Sequence, residues 1–532
     1  MAKINIYSKE QLDAKLDSTV PPTAGASAGS VLMLDANKNP VWSSVERLVA
    51  LSITLANGAV GATVTATNGT DTYSGTTDST GCIGFGVKPG FDYTVSTDGA
   101  DDVTVYVGNA GASVTMEFGF RGFVGITITE STSDPSSRVA YPQTLSTGQG
   151  TYDNLAYGAT PMSGAGSSFN AGSWGTGQLA KFIEDIKPVS FDGTTWNDLN
   201  KTDETSWPST SGTDCFTEFP FRWLSITKSS DVITVVFSGQ ETQPDSTFQN
   251  WAFLGADGTT VRPNFHLGCY TASGSYSSGI YSAKGSTNLV STALNRYWVG
   301  ASKRGTEYDC LPFQMWTYIQ ALFLVLYKST NSQAAHSKGN VGGSSIQSNS
   351  AFTSYGNDYG MYGTTANTTT QMAFFWLHNL WGNMYQYSAS VFTRAGSSYT
   401  LYYILSAMSN SSNWDNSSWN KTSSSYRAKM TSLGTSSGST GKSLGNYYTK
   451  ACGSNGAGFI VDTSSSTGSL TTYYPDTGNV SVSSSYAYFP SLGGVYLYSD
   501  GPGIFYTNVS YNSTSSDSYS GSRLAYRGGH QY

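Results

Sequence analysis

Closely spaced turn signals are the feature that most restricts how this chain of 532 residues can fold. Between residues 49 and 118, short apolar runs are separated by dipeptides that favour reversal of the backbone. These are Asn57-Gly58, Asn68-Gly69, Pro89-Gly90 and Asp98-Gly99. Runs this short fit β-strands better than helices. We therefore predict a small β-sandwich over residues 49–120, followed by a linker over residues 121–149 that contains one strand, Val124–Ile128.

Composition extends the β-rich prediction to the whole chain. Charged residues make up 12% of the sequence, about half of the usual fraction. Aromatic residues make up 14%, and there are 59 glycines. This balance is the opposite of that in disordered proteins. We predict a mainly β fold with a few helices (α+β), consisting of an N-terminal attachment segment (residues 1–48), the β-sandwich and a large C-terminal domain (residues 150–532).

Three segments have helical patterns. A capping box that begins at Ser8 predicts a short helix within residues 1–20, whose narrow apolar stripe needs a partner. Gly175–Lys187 carries apolar residues on one face, and Pro188 should end this helix. Phe313–Lys328 is the most apolar segment, and we place it in the core of the large domain.

Several classes of function are disfavoured by charge and cysteine usage. The net charge is −7 and no cluster of Lys and Arg occurs, so nucleic-acid binding is not expected. The longest apolar run, Met315–Tyr327, is too short for membrane insertion, and the N-terminus lacks the apolar core of a secretion signal. The five cysteines lie far apart and predict buried free thiols rather than disulfides or a zinc site: Cys82, Cys215, Cys269, Cys310 and Cys452.

Residues 492–526 intersperse tyrosines with small polar side chains. Tyr provides broad contact area at low entropic cost, and Ser, Asn and Gly provide adaptable hydrogen bonds. A core strand would contain more Val, Ile and Leu, although an irregular surface loop is an alternative. We predict a receptor-binding surface made of Tyr496, Tyr498, Ser499, Asp500, Tyr506, Thr507, Asn508, Ser510, Tyr511, Asn512, Ser515, Asp517 and Tyr519.

Glycine-containing anchors bracket this segment. Gly493-Gly494 precedes it, Gly521–Leu524 follows it, and Gly501, Gly503 and Phe505 form a Gly-x-Gly-x-Phe pattern between them. The arrangement resembles the variable region of proteins diversified by retroelements, which have a C-type lectin fold and include many phage receptor-binding proteins. In that family, adenines in Asn-type codons are mutated, which never yields Lys, Glu, Gln, Trp or Met, and none of these occurs between the anchors. The resemblance implies a variable region over residues 493–524.

Other segments resemble related proteins. Asn379–Tyr387 is similar to a core motif of the formylglycine-generating-enzyme-like branch of the C-type lectin fold, and this resemblance covers residues 150–527. It implies that Trp381 and Gly382-Asn383 pack beneath the ligand-binding face. Residues 25–43, a predicted strand pair around a polar turn, resemble the N-terminal part of phage tail fibres. Residues 49–118 resemble Ig-like or carboxypeptidase-regulatory spacer modules.

No metal site is predicted. Gln243-Pro244-Asp245 and Trp196-Asn197-Asp198 match calcium-binding triplets of C-type lectins, but their order is reversed and neither lies near the C-terminal segment. The four histidines lack metal-ligand spacing to one another: His266, His336, His378 and His530. His378 lies inside the aromatic motif and is predicted to be a buried core residue.

No enzyme or cofactor is predicted either. Formylglycine-generating enzymes use a pair of C-terminal cysteines, whereas Cys452 is alone beyond Cys310. Asp500 and Asp517 could be imagined as a glycosidase pair, but they are better interpreted as contact residues.

The combined prediction is a phage receptor-binding protein of the virion tail. Its partners would be a host cell-surface receptor, either protein or glycan, and phage tail or baseplate proteins that hold residues 1–48. The resemblance to tail fibres implies a homotrimer. The alternatives are a bacterial surface adhesin with the same C-terminal domain and a glycan-degrading tailspike enzyme.

Overall fold

The computed structural model describes most of the chain. The described residues are 30–34, 40–44, 48–55, 61–97, 100, 102–116, 120–240, 242–366, 368–395, 398–404, 431–435, 442–443, 449–451, 459–461, 469, 471–476, 478–480, 488–498, 501–512 and 514–530. The chain divides into two compact units, Met1–Gly119 and Phe120–Tyr532. The helix predicted within residues 1–20 lies outside the described residues.

The first unit contains the predicted strand pair and the predicted sandwich. Ser30–Leu34 and Pro40–Ser44 pair antiparallel. One further sheet has the order Cys82–Val87, Val49–Leu55, Ala112–Met116, and another has the order Thr72–Thr76, Thr63–Thr67, Phe91–Thr97, Val103–Val107. Alternate residues of Val49–Leu55 are buried, as expected for strands with one face toward a core. Both of these sheets contribute to one hydrophobic core, so they form a two-layer sandwich.

The second unit begins with residues that were predicted to be a linker. Phe123–Thr129 pairs antiparallel with Val232–Ser238, and Val124, Ile126 and Ile128 are fully buried. The linker prediction over residues 121–149 is therefore wrong. The strand predicted at Val124–Ile128 is present as Phe123–Thr129. Its place inside a sheet of the second unit was missed, because its partner strand lies more than a hundred residues further along the chain. The sheet has the order Val139–Ala140, Phe123–Thr129, Val232–Ser238, Trp223–Ser229, Phe248–Gln249.

Two larger sheets form the rest of the second unit. The six-stranded sheet has the order Trp196–Asp198, Lys187–Phe191, Asp214–Pro220, Asn264–Thr271, Arg523–Tyr526, Tyr308–Cys310. The nine-stranded sheet has the order Thr431–Thr435, Ser398–Tyr403, Ser390–Ala395, Tyr488–Leu492, Thr507–Asn512, Gly478–Val480, Lys442–Ser443, with Tyr385–Tyr387 and Ser520–Gly521 attached beside it. Two-stranded pairs are Thr144–Ser146 with Thr151–Asp153, Ser273–Ser275 with Gly279–Tyr281, Ala373–Phe374 with Leu377–His378, and Thr449–Ala451 with Phe459–Val461.

The described residues contain four α-helices. Phe313–Tyr327 is buried at every position, including Gln314, Thr317 and Gln320, which confirms its predicted place in the core. Gly177–Ile183 is shorter than predicted, because Pro188 lies inside the strand Lys187–Phe191 rather than at a helix end. Leu294–Ser302 and the short Ser332–Ala335 complete the set. Three 3-10 helices are Gly166–Ser168, Gly172–Gly175 and Trp251–Phe253.

The fold is thus mainly β with a few helices, as the composition predicts. Within the part of the chain that the structure describes, no helix combines the length and apolar character needed to cross a membrane.

Candidate binding face

The C-terminal segment is held against the motif Asn379–Tyr387 by strand pairing. Tyr488–Leu492 pairs antiparallel with both Thr507–Asn512 and Tyr385–Tyr387. Tyr385–Tyr387 in turn pairs parallel with Ser520–Gly521. The two loops of the predicted variable region, residues 493–506 and 513–519, therefore start and end on strands that share one sheet.

Glycines allow the first loop to lie directly on this motif. Gly493 has φ +79°, and a Cβ there would be 2.5 Å from the Leu380 carbonyl oxygen. The Gly382 N–H donates to the Gly493 oxygen at 3.0 Å, and the Tyr496 N–H donates to the Asn383 oxygen at 3.3 Å. A residue with a Cβ at position 493 would be destabilised both by the left-handed backbone and by the close contact. The glycines therefore lock the loop onto the turn.

The side chain of Asn383 holds the turn from below. Its Oδ1 accepts from Asn340 Nδ2 at 3.0 Å and from the Gln347 N–H at 2.7 Å. Trp381 is fully buried and donates from Nε1 to the Ser337 oxygen at 2.8 Å. Buried polar groups with these partners fix a single arrangement. The motif is thus a rigid support for the loop that carries Tyr496.

An inner layer of tyrosines lies beneath the surface. The rings of Tyr385 and Tyr506 stack with centroids 5.6 Å apart, and the Tyr506 hydroxyl donates to the Tyr385 hydroxyl at 3.1 Å. The ring of half-buried Tyr511 is 6.1 Å from that of Tyr385. Burial raises the pKa of Tyr506 well above its ordinary value, so its hydroxyl stays protonated. Tyr385 and Tyr506 are therefore scaffold rather than contact surface, whereas Tyr511 is only half-buried.

The prediction of an outward-facing position is wrong for three residues. Tyr506, Thr507 and Asn508 are 4%, 0% and 5% exposed. Residues Thr507 and Asn508 pair with Gly478–Val480 on one side and with Tyr488–Leu492 on the other. An interior strand of this kind is covered by its neighbours. Its burial could not be predicted from the residue types, because tyrosine serves equally well in cores and on surfaces.

The remaining predicted residues lie at or near the surface. Tyr498 is 53% exposed and Tyr519 is 36% exposed. Tyr496 is half-buried and packs edge-to-face on Tyr519 with centroids 5.9 Å apart. Leu497 is 50% exposed. The sequence prediction left it out, because only Tyr and small polar residues were considered. We call Tyr496, Leu497, Tyr498 and Tyr519 the tyrosine face.

The small polar residues beside the tyrosine face are half-buried, and several of them form hydrogen bonds within their own turns. Asn512 Oδ1 accepts from the N–H and hydroxyl of Thr514, and Ser515 donates to the same oxygen at 3.1 Å. Asp517 accepts the Tyr519 N–H at 2.7 Å. Ser510 and Tyr511 are also half-buried, whereas Ser499 and Asp500 lie outside the described residues. The second loop is therefore shaped by its own side chains.

The rejected calcium triplets have structural partners. Asp245 accepts hydroxyl hydrogen bonds from Thr147 and Tyr152, each at 2.7 Å. Asp198 pairs with Lys187 at 2.7 Å. Trp196–Asp198 is a strand of the six-stranded sheet, whereas Gln243–Asp245 lies in the connection between Val232–Ser238 and Phe248–Gln249. Both acids join neighbouring segments.

His378 is a buried core residue, as predicted. It is 0% exposed, and its Nε2 lies 2.6 Å from Glu204 Oε1. The other carboxylate oxygen of Glu204 accepts from the Tyr270 hydroxyl at 2.8 Å and the Phe352 N–H at 3.0 Å. The Tyr355 hydroxyl donates to Glu204 as well. This enclosed network has the character of a structural anchor, and the absence of catalysis stays a prediction.

Comparison with known proteins adds little. No protein-family profile matches the chain, and no curated protein matches it. Among solved structures, it is similar to the fimbrial protein FimP from Actonomyces oris, with 12% sequence identity and a TM-score of 0.16. The match covers 45% of this chain and 62% of that chain, less than two thirds of the fimbrial protein's length. We infer neither fold nor function from a likeness this low.

Proposed function

We propose that this chain is an adhesive protein that binds a cell-surface receptor through the tyrosine face, and that it is the receptor-binding protein of a phage tail. The observation that carries the proposal is the two-layer arrangement of tyrosines. Exposed Tyr519 contacts half-buried Tyr496, which packs against the buried cluster that contains Tyr385 and Tyr506, and neighbouring Tyr498 is exposed. Rigid aromatic side chains lose little entropy on binding, which is why they dominate recognition surfaces.

The support beneath the face also favours recognition. The loop that begins at Gly493 is anchored by backbone contacts to Leu380–Asn383. Surface side chains can then vary without loss of the fold, because the anchoring contacts are made by the main chain. The assignment to a phage tail rests on the resemblance of residues 25–43 to tail fibres and of residues 493–524 to a diversified region. A homotrimer would strengthen weak contacts through avidity.

Replacement of Tyr498 by alanine tests the proposal. A tyrosine offers about 150–250 Å² of surface, and Tyr498 is 53% exposed, so on the order of 100 Å² is free for contact. Truncation of a tyrosine with this much contact area at the centre of an interface costs about 2 kcal/mol or more, which is about 30-fold in Kd. Labelled full-length protein is titrated onto cells of a bacterial strain that binds the wild type, and Kd is read by flow cytometry.

Tyr157 provides the matched control. It is 61% exposed in the same unit but lies outside the tyrosine face. Tyr157→Ala should bind like the wild type, and neither variant should change Tm appreciably, since both side chains are exposed. Equal Kd values for the wild type and Tyr498→Ala would overturn the assignment of the face.

A genomic observation tests the narrower phage assignment. A reverse-transcriptase gene beside a near-copy of the sequence that encodes residues 493–524, differing only at adenines, would support it. The structure adds an expectation about where natural variants differ. Substitutions should concentrate at exposed positions such as Tyr498 and Tyr519 and spare buried Thr507. Variants that differ mainly at buried positions would contradict the proposal.

A further inference from the structure

Three side chains from distant parts of the chain converge on one carboxylate oxygen. His266 Nε2 lies 2.9 Å from Glu218 Oε2, and His530 Nδ1 lies 3.0 Å from the same oxygen. Glu218 and His266 are directly opposite one another on the paired strands Asp214–Pro220 and Asn264–Thr271. His530 comes from the C-terminal end of the described chain, 264 residues beyond His266. Sequence spacing could not reveal this cluster.

The two imidazole rings are held in place by their surroundings. Trp196 stacks on His266 with centroids 4.2 Å apart and on His530 with centroids 5.0 Å apart. Asn264 fixes the backbone of His530 through a reciprocal pair of hydrogen bonds: its Nδ2 donates to the His530 oxygen at 3.0 Å, and its Oδ1 accepts the His530 N–H at 2.6 Å. Stacking and backbone clamping preorganise the donor atoms before any ligand arrives.

The donor set has the chemistry of a transition-metal site. Two imidazole nitrogens and one carboxylate oxygen are a common set of protein ligands for zinc, and all three donor atoms lie within 4.8 Å of one another. In a tetrahedral zinc site with bonds of about 2.0–2.1 Å, donors are about 3.3 Å apart. The observed separations from Glu218 Oε2 would have to open by only a few tenths of an ångström.

Burial supports the same chemistry. His266 is 0% exposed and Glu218 is 2% exposed. Burial shields both donor groups from bulk water, and the shell around a metal site controls the access of solvent to it. The side chain of His530 is 15% exposed, which leaves an entry path for an ion.

We propose that Glu218, His266 and His530 form a binding site for a divalent transition-metal ion, for which Zn²⁺ fits the donor set best, with water as a further ligand. The ion would tie the C-terminal residues to the six-stranded sheet, whose strand Arg523–Tyr526 lies just before them. The proposed site shares no residue with the tyrosine face.

A purely hydrogen-bonded triad is the competing interpretation. In that state the carboxylate of Glu218 accepts N–H groups from both rings, with the proton of His266 on Nε2. Metal binding moves this proton to Nδ1, which has no hydrogen-bond partner among the described residues. Loss of such an outer partner weakens metal affinity by about 10–100-fold. We therefore expect a site that is weaker than fully supported structural zinc sites and that empties in chelator.

His530→Gln separates the two interpretations, because glutamine can still donate an N–H to Glu218 but is a poor zinc ligand. The full chain is treated with chelator, dialysed against buffer with a small excess of Zn²⁺, and analysed for bound metal and Tm. Tyr526→Phe is the control, since it alters a neighbouring ring that offers no ligand in the cluster.

The wild type and Tyr526→Phe should each retain one Zn²⁺ per chain and show a higher Tm with zinc than after chelation. His530→Gln should lose at least tenfold in zinc affinity while matching the Tm of the zinc-free wild type. Failure of the wild type to take up zinc, or equal uptake by His530→Gln, would overturn the proposal and leave the hydrogen-bonded triad. Glu218→Gln, which removes the charge but keeps an acceptor, gives the same test should His530→Gln fail to fold.

Discussion

Replacing Asp476 by asparagine tests whether a buried carboxyl group weakens the second unit above neutral pH. Asp476 is 1% exposed, and its Oδ2 accepts the Phe505 N–H at 2.7 Å. Gly503 is required beside it, since a Cβ there would be 2.0 Å from Asp476 Oδ1. Burial raises the pKa of Asp476 from 3.8 to about 7, against the opposing effect of hydrogen bonds from Phe505 and Ser332.

Proton linkage gives the sign of the effect. The unfolded chain loses this proton near pH 3.8 and the folded chain near pH 7, so the folded state binds more protons between these values. The stability contributed by the neutral group is fully present below pH 3.8 and is lost as the pH rises through 7. At about 1.4 kcal/mol per pKa unit, the loss is on the order of 4 kcal/mol at pH 8. Asparagine can accept the same backbone N–H and carries no charge, so Asp476→Asn removes the loss.

Calorimetry of the full chain measures the difference. Unfolding entropy is about 2.1 cal/mol/K per residue, or roughly 0.9 kcal/mol/K for a unit the size of Phe120–Tyr532. About 4 kcal/mol then corresponds to about 5 °C. The Tm of Asp476→Asn minus that of the wild type should therefore rise by about 5 °C between pH 4 and pH 8. Parallel Tm curves over this range would refute the idea that Asp476 keeps its proton in the fold.

Three further substitutions test the scaffold of the second unit. Gly493→Ala should destabilise the second unit by more than the roughly 1–2 kcal/mol that a left-handed backbone costs a residue with a Cβ, because this Cβ would also lie 2.5 Å from a backbone oxygen. Gly148 has φ +84° and open space around it, so Gly148→Ala should show the backbone cost alone in the same calorimetric assay. Glu204→Ala should lower the free energy of unfolding, measured in urea, by about 3 kcal/mol or more, since it leaves a histidine and two tyrosine hydroxyls without their buried acceptor. A urea midpoint equal to that of the wild type would contradict this. Tyr506→Phe removes one buried hydrogen bond and should lower the free energy of unfolding by about 0.5–1.5 kcal/mol. The Kd on cells should stay unchanged. A large loss of binding would show that Tyr506 contacts the receptor.

Sequence patterns predicted those elements whose formation depends on neighbouring residues. The helix Phe313–Tyr327 follows from its broad apolar face, and the short strands of the first unit follow from their turn dipeptides. The helix Leu294–Ser302 was missed, although Leu294, Tyr297, Trp298 and Ala301 have helical spacing and are all buried. Attention to aromatic residues at that spacing would have found it.

The sequence by itself determined that the chain is β-rich, poor in charged residues and rich in tyrosine near its C-terminus. Tertiary structure decided which of those tyrosines meet water: Tyr506 is enclosed and Tyr498 is exposed, although their immediate sequence surroundings are alike. It also decided that His266 and His530 meet on Glu218. The physical reason is that exposure and convergence depend on strands contributed by distant segments, whereas composition and periodicity report only on neighbours along the chain.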